Sequence, residues 1–172
     1  MKKVVLIGYM GSGKSVVSQE LSRKTKISFL ELDEIIEQKC KMTIEKIFET
    51  KGELFFRKIE NQLFTKYLSS NEDLIISTGG GTPCYFNNHK HLKDENVISI
   101  YLKASITTLK NRLLIEKEKR PLISHLDDNM VDEFIAKHLF DRSFYYNQAT
   151  FKVTVDEKSI EQIVQEILVL LT

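Results

Sequence analysis

The 172-residue chain has few of the features that would tie it to a secreted, fibrous or membrane setting. It has two cysteines, Cys40 and Cys84, far apart and not in metal-ligand spacing. That excludes a disulfide framework and fits a reducing compartment, so a cytoplasmic location is expected and each thiol reads as a small apolar packer. Only two prolines and seven glycines are present, with no linker rich in either, no repeat and no low-complexity tract. No domain boundary is therefore expected, and residues 1–172 read as one domain. Neither sign of charge dominates: 25 basic residues face 24 acidic ones, a net charge of +1. Bulk charge gives no reason to expect a nucleic-acid or membrane partner, so any anion site must be local. No apolar run is long enough to span a bilayer. The run Val4 to Ile7 stops at Gly8, too short for the core of a signal peptide, and no small-residue cleavage site follows.

The composition that is present, 42% hydrophobic and 28% charged, is that of an ordinary globular domain. Short apolar runs at Val4 to Ile7, Phe29 to Leu32, Leu74 to Ser77, Val97 to Leu102 and Phe151 to Val155 predict strands buried on both faces. Helical stripes lie between them, such as Leu63, Phe64, Tyr67 and Leu68, and Ile160, Ile163, Val164, Ile167 and Leu168. Ser159 and Gln162 have the spacing of a capping box, and Gly52 is expected to end a helix. Strand and helix in alternation predict a three-layer α/β domain. Glu116 to Arg120, densely charged and ending at Pro121, reads as a surface segment or a solvated helix end.

Three of the seven glycines sit in Gly8-Tyr9-Met10-Gly11-Ser12-Gly13-Lys14-Ser15, the full P-loop pattern, after a predicted strand and before the helical pattern Val16, Val17, Leu21. Amides wrap a phosphate closely only where no Cβ intervenes, and the loop feeds a helix N-terminus that favours an anion. Lys14 is placed to reach the β- and γ-phosphates, and the Ser15 hydroxyl to ligate one Mg²⁺. This signals nucleotide binding without naming the acceptor.

Other residues carry weaker signals. Gly79-Gly80-Gly81 follows a predicted strand, where a ligand site or a flexible turn are both open readings. Asp33 follows the second strand, either as an acceptor-orienting carboxylate or as a helix cap. Arg57 lies among Phe55, Phe56 and Ile59, with Glu60 one turn on, as a buried pair or a surface one. Arg142, between Phe140 and Phe144, is similar, and two such arginines suit a carboxylate ligand if they converge. His89-Lys90-His91 reads as a surface loop and Tyr145-Tyr146 as packing.

Together these residues resemble the shikimate kinase family. The P-loop is similar to the family's Gly-Phe-Met-Gly-x-Gly-Lys-Ser/Thr. Phe56-Arg57-x-Ile59-Glu60 resembles its Phe-Arg-x-x-Glu, Gly79-Gly80-Gly81 its triple glycine, and Arg120-Pro121-Leu122 its lid signature. Arg142 shortly before Tyr145, Tyr146 and Ala149 resembles its Arg-x-x-x-Tyr region. The resemblance spans nearly the whole chain. It implies a five-stranded parallel sheet of order 2-3-1-4-5, an acceptor-binding segment at about 33–61 and a mobile lid at about 113–125. It implies an ATP-dependent kinase making shikimate 3-phosphate for aromatic amino acid synthesis, working as a monomer. ATP would be held by Gly11, Ser12, Gly13, Lys14, Ser15, Val16, Arg112 and Arg120. Shikimate would be held by Asp33, Arg57, Gly79, Gly80, Gly81 and Arg142, with Glu60 orienting Arg57. Lys14, Asp33 and Arg120 would be catalytic. Where the family reads Asp-x-Asp near the Mg²⁺ water shell, this chain reads Glu31-Leu32-Asp33, and Thr82 stands where the family has a small or apolar residue.

The alternative is another small P-loop kinase, such as one acting on gluconate. A GTP-operated switch would need a guanine-reading Asn-Lys-x-Asp sequence, and the chain has none.

Overall fold

The computed structural model describes residues 2–117 and 121–172, with the backbone alone at Pro121 and Leu122. The five predicted strands form: β1 (Lys3–Ile7), β2 (Ser28–Glu31), β3 (Leu74–Ser77), β4 (Val97–Lys103) and β5 (Phe151–Thr154). All pairings are parallel, in the order β2-β3-β1-β4-β5. The helices α1 (Lys14–Thr25), α2 (Leu32–Cys40), α3 (Ile44–Lys51), α4 (Glu53–Leu68), α5 (Ile106–Ile115), α6 (Pro121–Ser124), α7 (Val131–Tyr146) and α8 (Ile160–Leu170) make the flanking layers and the cleft walls.

The central strands β1 and β3 are buried throughout, as a continuous apolar run requires. The edge strands are not. β2 is half-exposed along its length and β5 buries chiefly Val153, because each has a neighbour on one side only. The expectation of five strands buried on both faces is corrected to that extent. Leu32, expected to end β2, instead opens α2.

One buried charge in the sheet has a local explanation. Lys3 is fully buried at the start of β1, and its ammonium donates to the carbonyls of Ser70 and Glu72, which follow α4. Helix ends match their sequence signals. Ser159 and Gln162 form the capping box of α8, and Gly52, at φ +83°, closes α3 and opens α4. Both cysteines are free. Among the described residues no helix is long and apolar enough to cross a membrane.

Register matters most at the carboxyl ends of the strands. Leu6 pairs with Ser77 across β1 and β3, and Glu31 pairs with Ser77 across β2 and β3. Thr78 then ties itself to β1, its amide and hydroxyl both donating to the Leu6 carbonyl (3.2 and 3.0 Å). The residues that follow the three strands, Gly8, Asp33 and Gly79, are thereby brought to one edge of the sheet.

Candidate active site

The helix after β1 starts without a side-chain cap. Gly13 stands at the N-cap with φ +98°, a left-handed conformation that favours glycine, and the first turn of α1 holds no acidic residue. By contrast α3, α5 and α8 are capped by Thr43, Ser105 and Ser159. The free amides and positive end of α1 are left for an anion. Lys14 is buried beside them, its ammonium donating to the carbonyls of Gly8 (2.9 Å) and Tyr9 (3.0 Å).

A cleft of about 640 Å³ runs from Asp33, Gly79 and Gly80, across Lys14 and Ser15, to Arg112, Lys158 and Ile160. A separate groove of about 730 Å³ between α1 and α8 is lined mainly by Gln19, Glu20, Ser22 and Arg23, and no phosphate-binding amide faces it. Arg112 donates to the carbonyls of Gly11 (3.1 Å) and Ser12 (3.3 Å), fixing α5 to the P-loop. Val16 lies exposed at the same end.

At the other end the two arginines converge, which the sequence left open. A Cβ on Gly80 would lie 3.2 Å from Arg142 Nη1, and one on Gly81 2.7 Å from Arg57 Nη2. Adjacent glycines thus carry one guanidinium each. Arg57 is buried, donates to Glu60 at 2.8 Å and reaches Glu53 at 3.4 Å. The surface-pair reading of Arg57 and Glu60 does not hold, since Glu60 is 0% exposed. Tyr85 stacks on Arg57, ring centroid to Cζ 4.1 Å. Two cationic forks on one glycine wall suit a carboxylate ligand.

Asp33 sits in the first turn of α2, whose N-cap is Glu31, so it is not the helix cap. Its accessible surface faces the cleft. Crowding by the cleft walls, with the Glu60 charge second, pushes its carboxyl from 3.8 up to about 6. A carboxylate with that pKa is matched to accepting a hydroxyl proton near neutral pH. Burial likewise pushes the Cys84 thiol up to about 11, so it stays protonated beside the arginines.

Glu31 is raised by burial and pulled back by the Ser77 and Ser15 hydroxyls and Lys14. The Ser77 hydroxyl lies near it without hydrogen-bond geometry: Glu31 Oε1 and Ser77 Oγ are both buried with no partner among the described residues. Orphaned hard oxygens beside Ser15 fit a hydrated Mg²⁺. Among the described residues no cluster of three or more His, Cys, Asp or Glu side chains forms a metal cage, as suits an ion that keeps waters and phosphate oxygens.

Sequence reasoning missed several contributors. Tyr146 packs on Tyr101 and donates its hydroxyl to the Gly80 carbonyl (2.6 Å), so it shapes the acceptor wall. Tyr9, under Arg142, shares a hydrogen bond between its hydroxyl and His138 Nδ1 (2.9 Å), joining P-loop to α7. Burial, then Arg142, lowers His138. A signal for Tyr9 existed, since it stands where the resembled family reads Phe. His89 and His91 lie in a 3-10 helix (Asn88–Lys93), His89 edge-on to Phe144 and Tyr145, and His91 paired with Asp94. Arg120 lies outside the described residues, and Pro121 and Leu122 of the expected lid signature are described in backbone alone.

Comparison with known proteins shows the family and the fold. A family model described as shikimate kinase matches residues 10–172. A curated shikimate kinase from Flavobacterium johnsoniae is 55% identical over 168 residues, covering 98% of both chains. The crystal structure of shikimate kinase from Bacteroides thetaiotaomicron superposes with TM-score 0.92 at 32% identity, over 99% of this chain and 98% of that one. Shikimate kinase from Acinetobacter baumannii in complex with shikimate gives TM-score 0.88 at 28% identity, over 99% of this chain and 93% of that one.

Proposed function

The chain belongs to the shikimate kinase family and is a kinase that transfers phosphate from ATP to a shikimate hydroxyl; from that premise we propose how its own residues perform the transfer. The observation that carries the reading is the placement of Arg57 and Arg142 against the adjacent Gly81 and Gly80, with Gly80 lining the same cleft as Asp33 and Lys14. Arg57 and Arg142 grip the shikimate carboxylate, which turns its ring hydroxyls toward Asp33. Asp33 orients the 3-hydroxyl and takes its proton as the phosphorus–oxygen bond forms. Lys14 leaves the Gly8 and Tyr9 carbonyls for the β- and γ-phosphates and neutralises charge as it builds on the leaving ADP. The amides of Gly11, Ser12 and Gly13 hold the phosphates, and Val16 and Arg112 border the adenosine. Arg120, from the segment at about 113–125, closes over the phosphates and excludes water.

Ser15, with Glu31 and Asp33, would hold one Mg²⁺, which would supply charge neutralisation for phosphoryl transfer. Free Cys40 and Cys84 support a reducing, cytoplasmic setting, and the enzyme is read as a monomer.

The test is ADP release from Mg-ATP with shikimate, with gluconate, with nucleoside monophosphates and with no acceptor. Release confined to shikimate is expected. Equal release with gluconate would overturn the acceptor assignment, and release without any acceptor would overturn the coupling of the two subsites.

A further inference from the structure

The Glu60 carboxylate has no contact with solvent, and its two oxygens have different partners. Oε2 accepts from Arg57 Nη1 at 2.8 Å, and Oε1 accepts from the Thr82 hydroxyl at 2.7 Å. Thr82 opens a short 3-10 turn (Thr82–Cys84) directly after the triple glycine, and is 1% exposed. Its own position is fixed. Its amide donates to the Gly79 carbonyl (3.2 Å), and its carbonyl accepts from Asn88 Nδ2 (2.9 Å). Asn88 Oδ1 accepts in turn from Asn61 Nδ2 (2.7 Å), the residue next to Glu60 on α4. Hydrogen bonds therefore close a ring from α4 through Thr82 and back to α4.

We propose that Thr82 is a positioning residue for shikimate binding, holding one oxygen of Glu60 so that only the other engages Arg57. This rests on the reading of Arg57 as a carboxylate clamp. An arginine fork pairs best with a carboxylate through two parallel hydrogen bonds. A Glu60 free to rotate would take both, and would compete with the substrate carboxylate for the same guanidinium. With Oε1 tied to Thr82, Arg57 meets Glu60 through Nη1 alone; its Nε reaches Glu53 at 3.4 Å, and Nη2 lies against Gly81, next to the cleft-lining Gly80. Tyr85, stacked at 4.1 Å, blocks the fork from swinging away. The hydroxyl is what matters, because it is the donor that ties Oε1.

Thr82→Val keeps the shape and removes the donor. The shikimate KM is expected to rise about tenfold, the scale of one hydrogen bond to a buried charge, with the ATP KM unchanged within about twofold. Thr82→Ser, which keeps the hydroxyl, is expected to restore the wild-type shikimate KM. Arg57→Ala is assayed alongside. A wild-type shikimate KM in Thr82→Val while Arg57→Ala raises it overturns the role of Thr82 alone. An unchanged KM in Arg57→Ala overturns the clamp reading beneath it. Equal rises in both KM values, or failure of serine to rescue, assign Thr82 to general packing and overturn the proposal as well.

Discussion

A Cβ atom on Gly81 would lie 2.7 Å from Nη2 and 2.9 Å from Nη1 of Arg57, closer than a side-chain carbon can come to either. Gly81 has φ −93° and ψ −11°, a conformation open to alanine, so the glycine is required by the arginine and not by the backbone. Arg57 cannot give way cheaply, because Glu60, Glu53 and Tyr85 hold it.

Gly81→Ala is therefore expected to fold normally and to lose acceptor binding. A displaced clamp should lower kcat/KM for shikimate about a hundredfold with the ATP KM little changed. Steady-state kinetics with each substrate varied in turn checks this, and an unaffected shikimate kcat/KM would show that the guanidinium is not where binding occurs.

The raised carboxyl of Asp33, at about 6 in place of 3.8, sets two pH dependences. Catalysis needs the carboxylate, so kcat/KM should fall as pH drops through about 6. Stability runs the other way. An acid whose pKa rises on folding holds its proton more tightly in the folded state. Its ionisation then disfavours folding as pH climbs from about 4 to about 6, and the full cost is present above that range. Asp33→Asn should raise the melting temperature at pH 7 and lose that gain near pH 4. A gain that is independent of pH would show that it does not come from the Asp33 charge.

Among the described residues, Glu31 and Ser77 leave two buried oxygens without partners near Ser15. Glu31→Gln should raise the Mg²⁺ concentration needed for half-maximal rate by about tenfold, the scale expected for loss of an outer-shell carboxylate. The shikimate KM at saturating Mg²⁺ should not move. Titration of Mg²⁺ at fixed ATP separates this from a loss of acceptor binding, and a wild-type Mg²⁺ requirement would remove Glu31 from the metal site.

Tyr9 and His138 test the asymmetry of buried hydrogen bonds. His138→Ala leaves the buried Tyr9 hydroxyl without its partner and should cost about 1–3 kcal/mol of stability. Tyr9→Phe removes the hydroxyl itself and should cost less, about 1 kcal/mol. Denaturant melts of both variants give the order, and the reverse order would mean that the hydroxyl finds another partner when His138 is gone.

The amino-acid sequence by itself determined the architecture and the phosphate end of the site. Apolar runs of four to six residues between helical stripes allowed little but a parallel sheet, and the P-loop is local, eight consecutive residues whose spacing carries its geometry. It also supplied Arg57, Glu60, Asp33 and Arg142 as charges in apolar surroundings. It left undecided whether Arg57 and Glu60 were buried or Asp33 was a cap, because both answers satisfy the same helical spacing. The strands at the sheet edges misled for a related reason: hydrophobicity reports what a strand is made of, not how many neighbours it has. Convergence belonged to the tertiary structure alone. Arg57 and Arg142 come to the adjacent Gly81 and Gly80 because β3 pairs with β1 and β2 in one register and α7 packs across the loop that follows. Thr82 on Glu60, Tyr146 on Gly80 and His138 on Tyr9 are bonds of 22, 66 and 129 residues' separation, and no local pattern encodes a hydrogen bond across that distance.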